Sequence, residues 1–198
     1  MSAEADPAPV ERWSRRLSTA GAALTGVALV IAALTGIVLC WQYLPDPAEV
    51  TSTYVADGRP VGRGPVHLHR LALVAAVSAG LWWTCLCALR AVAWRGPRTL
   101  VGLLAALGTL LLALTATLSW YLVRWDQLAL WAVTTGSDLR GLWPAGFSDE
   151  VRFVLVGGAE VDTGTYARWL LVHLAAPLLA LGTTAVGAWA GRAPRQRP

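Results

Sequence analysis

The sequence predicts an all-α integral membrane protein, a bundle of four membrane-spanning helices. Of its 198 residues, 56% are hydrophobic and only 14% are charged, whereas a soluble domain carries about 25% charged residues. Crossing the hydrocarbon layer of a membrane requires about 20 consecutive apolar residues in a helix. Four stretches meet that requirement: Leu17 to Leu44, Val66 to Val92, Leu100 to Val123 and Tyr166 to Ala190.

The first stretch is expected to stay in the protein as a helix. Arginines precede it, as in a secretory signal peptide, but its apolar run exceeds the signal core of about 7–15 residues. The predicted organisation is a disordered cytoplasmic N-terminus over residues 1–16, one four-helix domain over 17–191 and a cytoplasmic tail over 192–198.

The two outer loops differ in pattern. Pro45 to Pro65 contains Pro, Gly, Asp and Thr, a composition that predicts irregular structure. Arg124 to Gly164 instead carries apolar and aromatic residues at helical spacing. We expect this second loop to form short helices along the membrane surface, with tryptophans at the level of the lipid headgroups.

The distribution of arginine predicts the orientation. The side that holds both termini and the loop between the second and third spans carries nine arginines and three acidic residues, and the other side carries seven arginines and nine acidic residues. Cytoplasmic flanks are enriched in positive charge, so both termini are predicted to be cytoplasmic, in the cell inner (plasma) membrane. This asymmetry accounts for the net charge of +4 and does not indicate binding to nucleic acid.

Two histidines inside the predicted spans are the candidate ligands of a cofactor, because an ionisable group in a membrane needs a partner or a function. His69 lies 21 residues before Arg90, and His173 lies 19 residues before Arg192. At about 1.5 Å per residue these spacings are roughly 31 and 28 Å, so the two imidazoles are expected at similar depth in the outer half. Such a pair can bind both axial positions of a haem iron. Spacing alone leaves open the more common alternative, in which each histidine hydrogen-bonds separately between helices.

Other residues support a cofactor near these histidines. Gly36 would allow a flat cofactor, or another helix, to approach the first helix closely. Arg63, Arg70 and Arg168 lie at the outer ends of the histidine helices, where they would pair with haem propionates or simply extend to the interface. His67 is nearer the end of its helix than His69 and is the alternative ligand.

Several motifs follow one another along the chain from about Gly21 to Ala190: Leu34-Thr35-Gly36, Tyr43-Leu44-Pro45-Asp46-Pro47-Ala48, Gly62 seven before His69-Arg70, Trp125-Asp126-Gln127, Trp131-Ala132-Val133, Gly157-Gly158, Thr165, Arg168 and Pro177 around His173. Together they resemble the N-terminal half of cytochrome b, as found in bc-type and plastid-type bf quinol complexes. The resemblance implies the four-helix, haem-binding domain of that family.

In the family, each histidine helix carries a second histidine about 14 residues further inward, and two haems stack across the membrane. The corresponding positions here are Trp83 and Gly187, or Ala188 with one more residue of spacing. The resemblance therefore implies that one b-type haem, the outer, low-potential one, is kept between His69 and His173. The inner haem is predicted to be absent, with Trp83 filling part of its volume.

The resemblance also implies an electron-transfer role in a quinol or respiratory redox complex, as a subunit that is not an enzyme alone. Quinol would lie near Trp125, Asp126, Gln127 and Trp131. The expected partners are membrane lipid, a second membrane subunit and a Rieske-type iron–sulfur protein or a cytochrome c.

Three departures bear on the resemblance: Trp120 replaces a haem-packing glycine, Val66 replaces an arginine, and Arg124 replaces a proline. They leave open a haem-free structural subunit that anchors a redox complex. A channel is disfavoured because the predicted helices contain no polar stripe.

Overall fold

The computed structural model describes residues 9–42, 55–56, 59–60, 63–123 and 163–192. Four long helices dominate this part of the chain: α1 Pro9–Gln42, α2 Arg63–Ala93, α3 Pro97–Val123 and α4 Thr163–Gly191. Each is long and apolar enough to cross a membrane. The predicted all-α membrane four-helix bundle is therefore confirmed.

Helix α1 begins eight residues before the span predicted from hydropathy. Pro9 has a backbone angle that suits a first helical position, and Glu11 places a negative charge near the helix N-terminus. Arg15 Nε donates a hydrogen bond of 3.1 Å to Glu11 Oε1. Residues 9–16, which we expected to be disordered, are thus helical, because local polar interactions extend the helix beyond its apolar run. Residues 1–8 and 193–198 lie outside the described part.

A short antiparallel ladder lies between α1 and α2. Strand β1, Val55–Ala56, pairs with strand β2, Arg59–Pro60. This region was expected to be irregular throughout, and the ladder corrects that expectation at these four residues. The sequence between the strands is Asp-Gly, a dipeptide that favours tight hairpins, so a signal for pairing was present.

The turn between α2 and α3 is closed by one threonine. Thr99 Oγ1 accepts a hydrogen bond of 3.1 Å from the Gly96 main-chain N–H, and it lies within donating distance, 2.9 Å, of the Trp94 carbonyl oxygen. Pro97 opens α3, where its missing N–H costs nothing. These contacts hold the chain in a tight turn around Gly96.

The chain divides into two compact units, each of which contains a segment of every long helix. Within the described residues, the first unit comprises 9–33, 70–114 and 177–192, and the second comprises 34–42, 55–56, 59–60, 63–69, 115–123 and 163–176.

The first unit has small residues inside and large apolar residues outside. Its fully or nearly buried residues include Ala22, Ala76, Ala106, Ala113 and Ala180, whereas its exposed residues include Leu24, Leu81, Leu104, Leu178 and Leu179. Helices in lipid gain no hydrophobic driving force from burying leucine, so close packing of small residues holds them together. The pattern suits a lipid environment.

Among the residues that the structure describes, Trp83 is the largest fully buried side chain, with 1% of its surface exposed. It packs against Ala22, Cys87 and Ala106. A Cβ atom at Gly187 would lie 2.5 Å from the indole Cζ2 and Cη2 atoms, and one at Gly21 would lie 3.0 Å from the Trp83 Cβ. The indole therefore occupies the space that a side chain at Gly187 would need, and Gly21 lies close against the Trp83 Cβ.

We expect Gly187→Ala to destabilise the protein by about 1–3 kcal/mol, because the new methyl group overlaps the Trp83 indole in a filled core. Gly182→Ala is the matched control on the same helix, since a Cβ there meets nothing within 4 Å. The measurement is the midpoint of thermal unfolding in one detergent. Trp83→Leu combined with Gly187→Ala should recover part of the loss, and equal midpoints for the two glycine variants would contradict the steric argument.

Candidate functional site

His69 and His173 lie together in the second unit. Their ring centroids are 5.8 Å apart, and the ring planes meet at 65° in an edge-to-face arrangement. His69 is buried, with 4% of its surface exposed, and His173 is half-buried. The structure thus brings together the two imidazoles that the sequence singles out.

Helical periodicity explains why both side chains face inward. On α2, His69 is followed by the buried residues Ala72, Leu73 and Ala76 at spacings of three, four and seven. On α4, His173 precedes the buried residue Ala176 by three. Residues at these spacings share one face of a helix, so each histidine lies on its helix's buried face.

Helix α1 contacts His69 through two neighbouring residues. Thr35 Oγ1 lies 3.0 Å from His69 Nδ1, at hydrogen-bonding distance. A Cβ atom at Gly36 would lie 3.3 Å from His69 Cε1, closer than most real Cβ contacts. Gly36, predicted to adjoin a cofactor, therefore lies against the imidazole itself and leaves it room.

Helix α3 contacts His173. His173 Nδ1 lies 3.1 Å from Ser119 Oγ and 3.1 Å from the Ala116 carbonyl oxygen. The Ser119 hydroxyl is also 2.7 Å from the Thr115 carbonyl oxygen, to which it donates. Sequence reasoning missed Ser119 and Ala116, because the face of α3 that meets α4 is decided by tertiary packing, and a serine in an apolar helix carries no signal of its own.

The Nδ1 contacts leave the Nε2 atoms as the ring positions suited to a metal. The Nε2 atom of His69 is buried and makes no hydrogen bond within the described part of the chain. Imidazole–metal bonds are about 2 Å long and the ring centre lies about 1 Å further on, so two axial imidazoles have centres roughly 6 Å apart. The observed 5.8 Å is close to this separation, so the distance between the two rings is compatible with axial ligands of one haem.

The remaining predicted site residues are either exposed or outside the described part of the chain. Arg70 and Arg168 are exposed, as is His67, so burial distinguishes His69 from its neighbour. The side chain of Arg63 and the quinol-side residues Trp125, Asp126, Gln127 and Trp131 lie outside the described residues. Among the residues that are described, no group of three or more His, Cys, Asp or Glu side chains is arranged to bind a metal.

The positions of the family's second histidine pair do not suit iron. Trp83 offers an indole N–H that only donates hydrogen bonds, and Gly187 has no side chain. Moreover, the indole fills the space beside Gly187, where any side chain would overlap it. The residues of the first unit therefore do not fit a bis-histidine haem.

Comparison with known proteins gives one consistent result. No family model matches the sequence. The chain is 26% identical over 171 residues to "Cytochrome b" of Rhodobacter capsulatus, which covers 82% of this chain and 37% of the relative. It is 28% identical over 171 residues to "Cytochrome b" of Cereibacter sphaeroides, covering 82% and 36%, and 30% identical over 165 residues to "Cytochrome b" of Venturia inaequalis, covering 79% and 39%.

These similarities extend over about four fifths of the chain, and the chain spans less than two fifths of the length of these three relatives. The part of the chain that the structure describes contains four long apolar helices, two of which bring His69 and His173 together. The chain is a partial homologue of cytochrome b, and its four apolar helices fit the N-terminal domain of that family.

Proposed function

We propose that the chain is a membrane electron-transfer subunit that binds one b-type haem between His69 and His173. The observation that carries the proposal is the contact between the two imidazoles, whose centroids are 5.8 Å apart and whose Nδ1 atoms both meet hydrogen-bonding groups of neighbouring helices. A haem bound there supplies one-electron redox chemistry.

The residues around the pair have distinct roles in this proposal. Thr35, Ser119 and the Ala116 carbonyl orient the rings through Nδ1, as hydrogen-bonding partners do for metal-ligating histidines in general. Gly36 leaves space beside His69. Burial of His69 keeps water away, which favours coordination by a neutral imidazole and raises the influence of nearby charges.

The proposed haem lies near the outer membrane face, at the depth that the spacing to Arg90 and Arg192 indicates. Exposed Arg70 and Arg168, with Arg63, are suited to pair with propionates directed toward that face. The excess of arginine on the side of the termini supports an inner (plasma) membrane protein with both termini in the cytoplasm.

A single haem is proposed because the first unit is filled by side chains. Trp83 occupies the interior with Ala22, Cys87 and Ala106, and Gly187 lies against its indole. A chain with one haem has no cofactor to relay electrons to the cytoplasmic side. We therefore propose that electrons enter and leave at the outer face.

The partners follow from this placement and from the resemblance. We propose a second membrane subunit and a Rieske-type iron–sulfur protein or a cytochrome c as redox partners, with quinol as electron donor near Trp125, Asp126, Gln127 and Trp131. In this arrangement the chain contributes a haem and a membrane anchor to a larger quinol or respiratory complex.

Haem content tests the proposed function. Purified protein should contain one b-type haem per chain by pyridine haemochrome, and His69→Ala and His173→Ala should each lose most of it because one axial bond disappears. His67→Ala is the matched control, since His67 is exposed on the same helix and should leave haem content unchanged.

Wild-type protein that is folded yet holds no haem would leave the structural-anchor alternative in place. Two haems per chain would instead contradict the filled first unit, and loss of haem in His67→Ala alone would transfer the ligand role to His67.

Reporter fusions test the orientation. An enzyme reporter that works only in the cytoplasm should be active when joined after Pro198, and one inserted between Asp57 and Gly58 should be inactive, because the excess of arginine holds the termini inside. A reporter that works only outside the cytoplasm should give the reverse pattern. Activity of the cytoplasmic reporter in the loop and not at the C-terminus would show the opposite orientation.

A further inference from the structure

We infer that Ser119 and the main-chain carbonyl of Ala116 are positioning groups that fix His173 in one tautomer before any metal arrives. This inference rests on the proposed function for its consequence in a haem protein. The position of the proton on His173, however, can be tested on the chain without haem.

The proton on His173 follows from the chemistry of its partners. A carbonyl oxygen only accepts hydrogen bonds, so a ring nitrogen 3.1 Å from the Ala116 oxygen must carry a hydrogen to bond with it. The Ser119 hydroxyl lies within donating distance of two carbonyl oxygens of its own helix, 2.7 Å from that of Thr115 and 3.1 Å from that of Ala116. With its proton directed to either of them, its lone pair faces the same His173 N–H at 3.1 Å. Both partners therefore select the form with hydrogen on Nδ1, which leaves a lone pair on Nε2.

The hydrogen bond at the other histidine does not by itself choose a tautomer. His69 Nδ1 lies 3.0 Å from the Thr35 hydroxyl, and a hydroxyl can donate or accept. Only the form of His69 in which Thr35 accepts leaves the Nε2 lone pair available to iron.

The fixed tautomer of His173 has a consequence for the reduction potential. An imidazole that donates from its distal nitrogen is a stronger base toward a metal, and a stronger base favours the higher charge of ferric iron. Ser119 and Ala116 should therefore lower the potential of the haem through His173. Removing the Ser119 hydroxyl leaves the Ala116 carbonyl in place, so the effect should be partial.

Two measurements test the inference. In haem-free protein labelled with ¹⁵N-histidine, the His173 signals, assigned by their loss in His173→Ala, should show Nδ1 protonated and Nε2 unprotonated at neutral pH. Hydrogen on Nε2 would overturn the inference whether or not the chain ever binds haem.

In haem-loaded protein, Ser119→Ala should shift the ferric–ferrous equilibrium toward ferrous by up to about tenfold, which is 59 mV upward for a one-electron couple. Ser18→Ala is the matched control, because Ser18 is also buried in a helix and its hydroxyl lies 3.5 Å from Cys87 Sγ in the first unit. It should leave the potential unchanged.

The outcomes separate the two claims. A wild-type chain without haem refutes the proposed function while the tautomer measurement still tests the inference. Normal haem content with the same potential in wild type, Ser18→Ala and Ser119→Ala refutes the positioning role of Ser119 and leaves the proposed function standing.

Discussion

Two imidazoles on different helices meet at a centroid distance of 5.8 Å, and the proposed haem site depends on this contact. Burying one histidine in a membrane protein is costly unless its polar atoms are used, and burying two side by side raises that cost. The cost is reduced here at Nδ1, where a threonine of α1 and a serine and a carbonyl of α3 meet the rings. A metal between the two remaining nitrogens would satisfy the rest of their bonding capacity.

The interior of the first unit is filled by small residues and one tryptophan. Alanine and glycine bring the helices close, and one tryptophan occupies the largest buried position. Because Gly21 and Gly187 both adjoin Trp83 within a distance that excludes a Cβ without movement, the three residues form one steric unit. This core is filled by side chains, which supports the proposal of a single haem.

Much of the fold could be predicted from the sequence, because the hydrocarbon layer imposes a length and an apolar composition on every spanning helix. The four helices were placed within a few residues at all ends except the start of α1. There the polar pair Glu11 and Arg15 extends the helix, which hydropathy cannot register. The composition of the loop predicts irregular structure, whereas the short ladder of β1 and β2 flanks the Asp-Gly dipeptide.

The candidate site could be predicted only in part. The similar depth of His69 and His173 could be predicted, because counting residues measures position along a helix axis. The groups that hold their Nδ1 atoms depend on rotation about that axis and on which neighbour packs there. Ser119 and the carbonyl of Ala116 therefore emerged only with the tertiary structure. Thr35 belongs to the motif Leu34-Thr35-Gly36, yet its contact with His69 likewise depends on tertiary packing.

The most direct test of the central claim is low-temperature electron paramagnetic resonance of the oxidised, purified protein, with the spins counted against protein concentration. One haem held by two imidazoles should give a single low-spin ferric signal, at one spin per chain. A high-spin signal, which indicates a missing axial imidazole, or two distinct low-spin signals would contradict it.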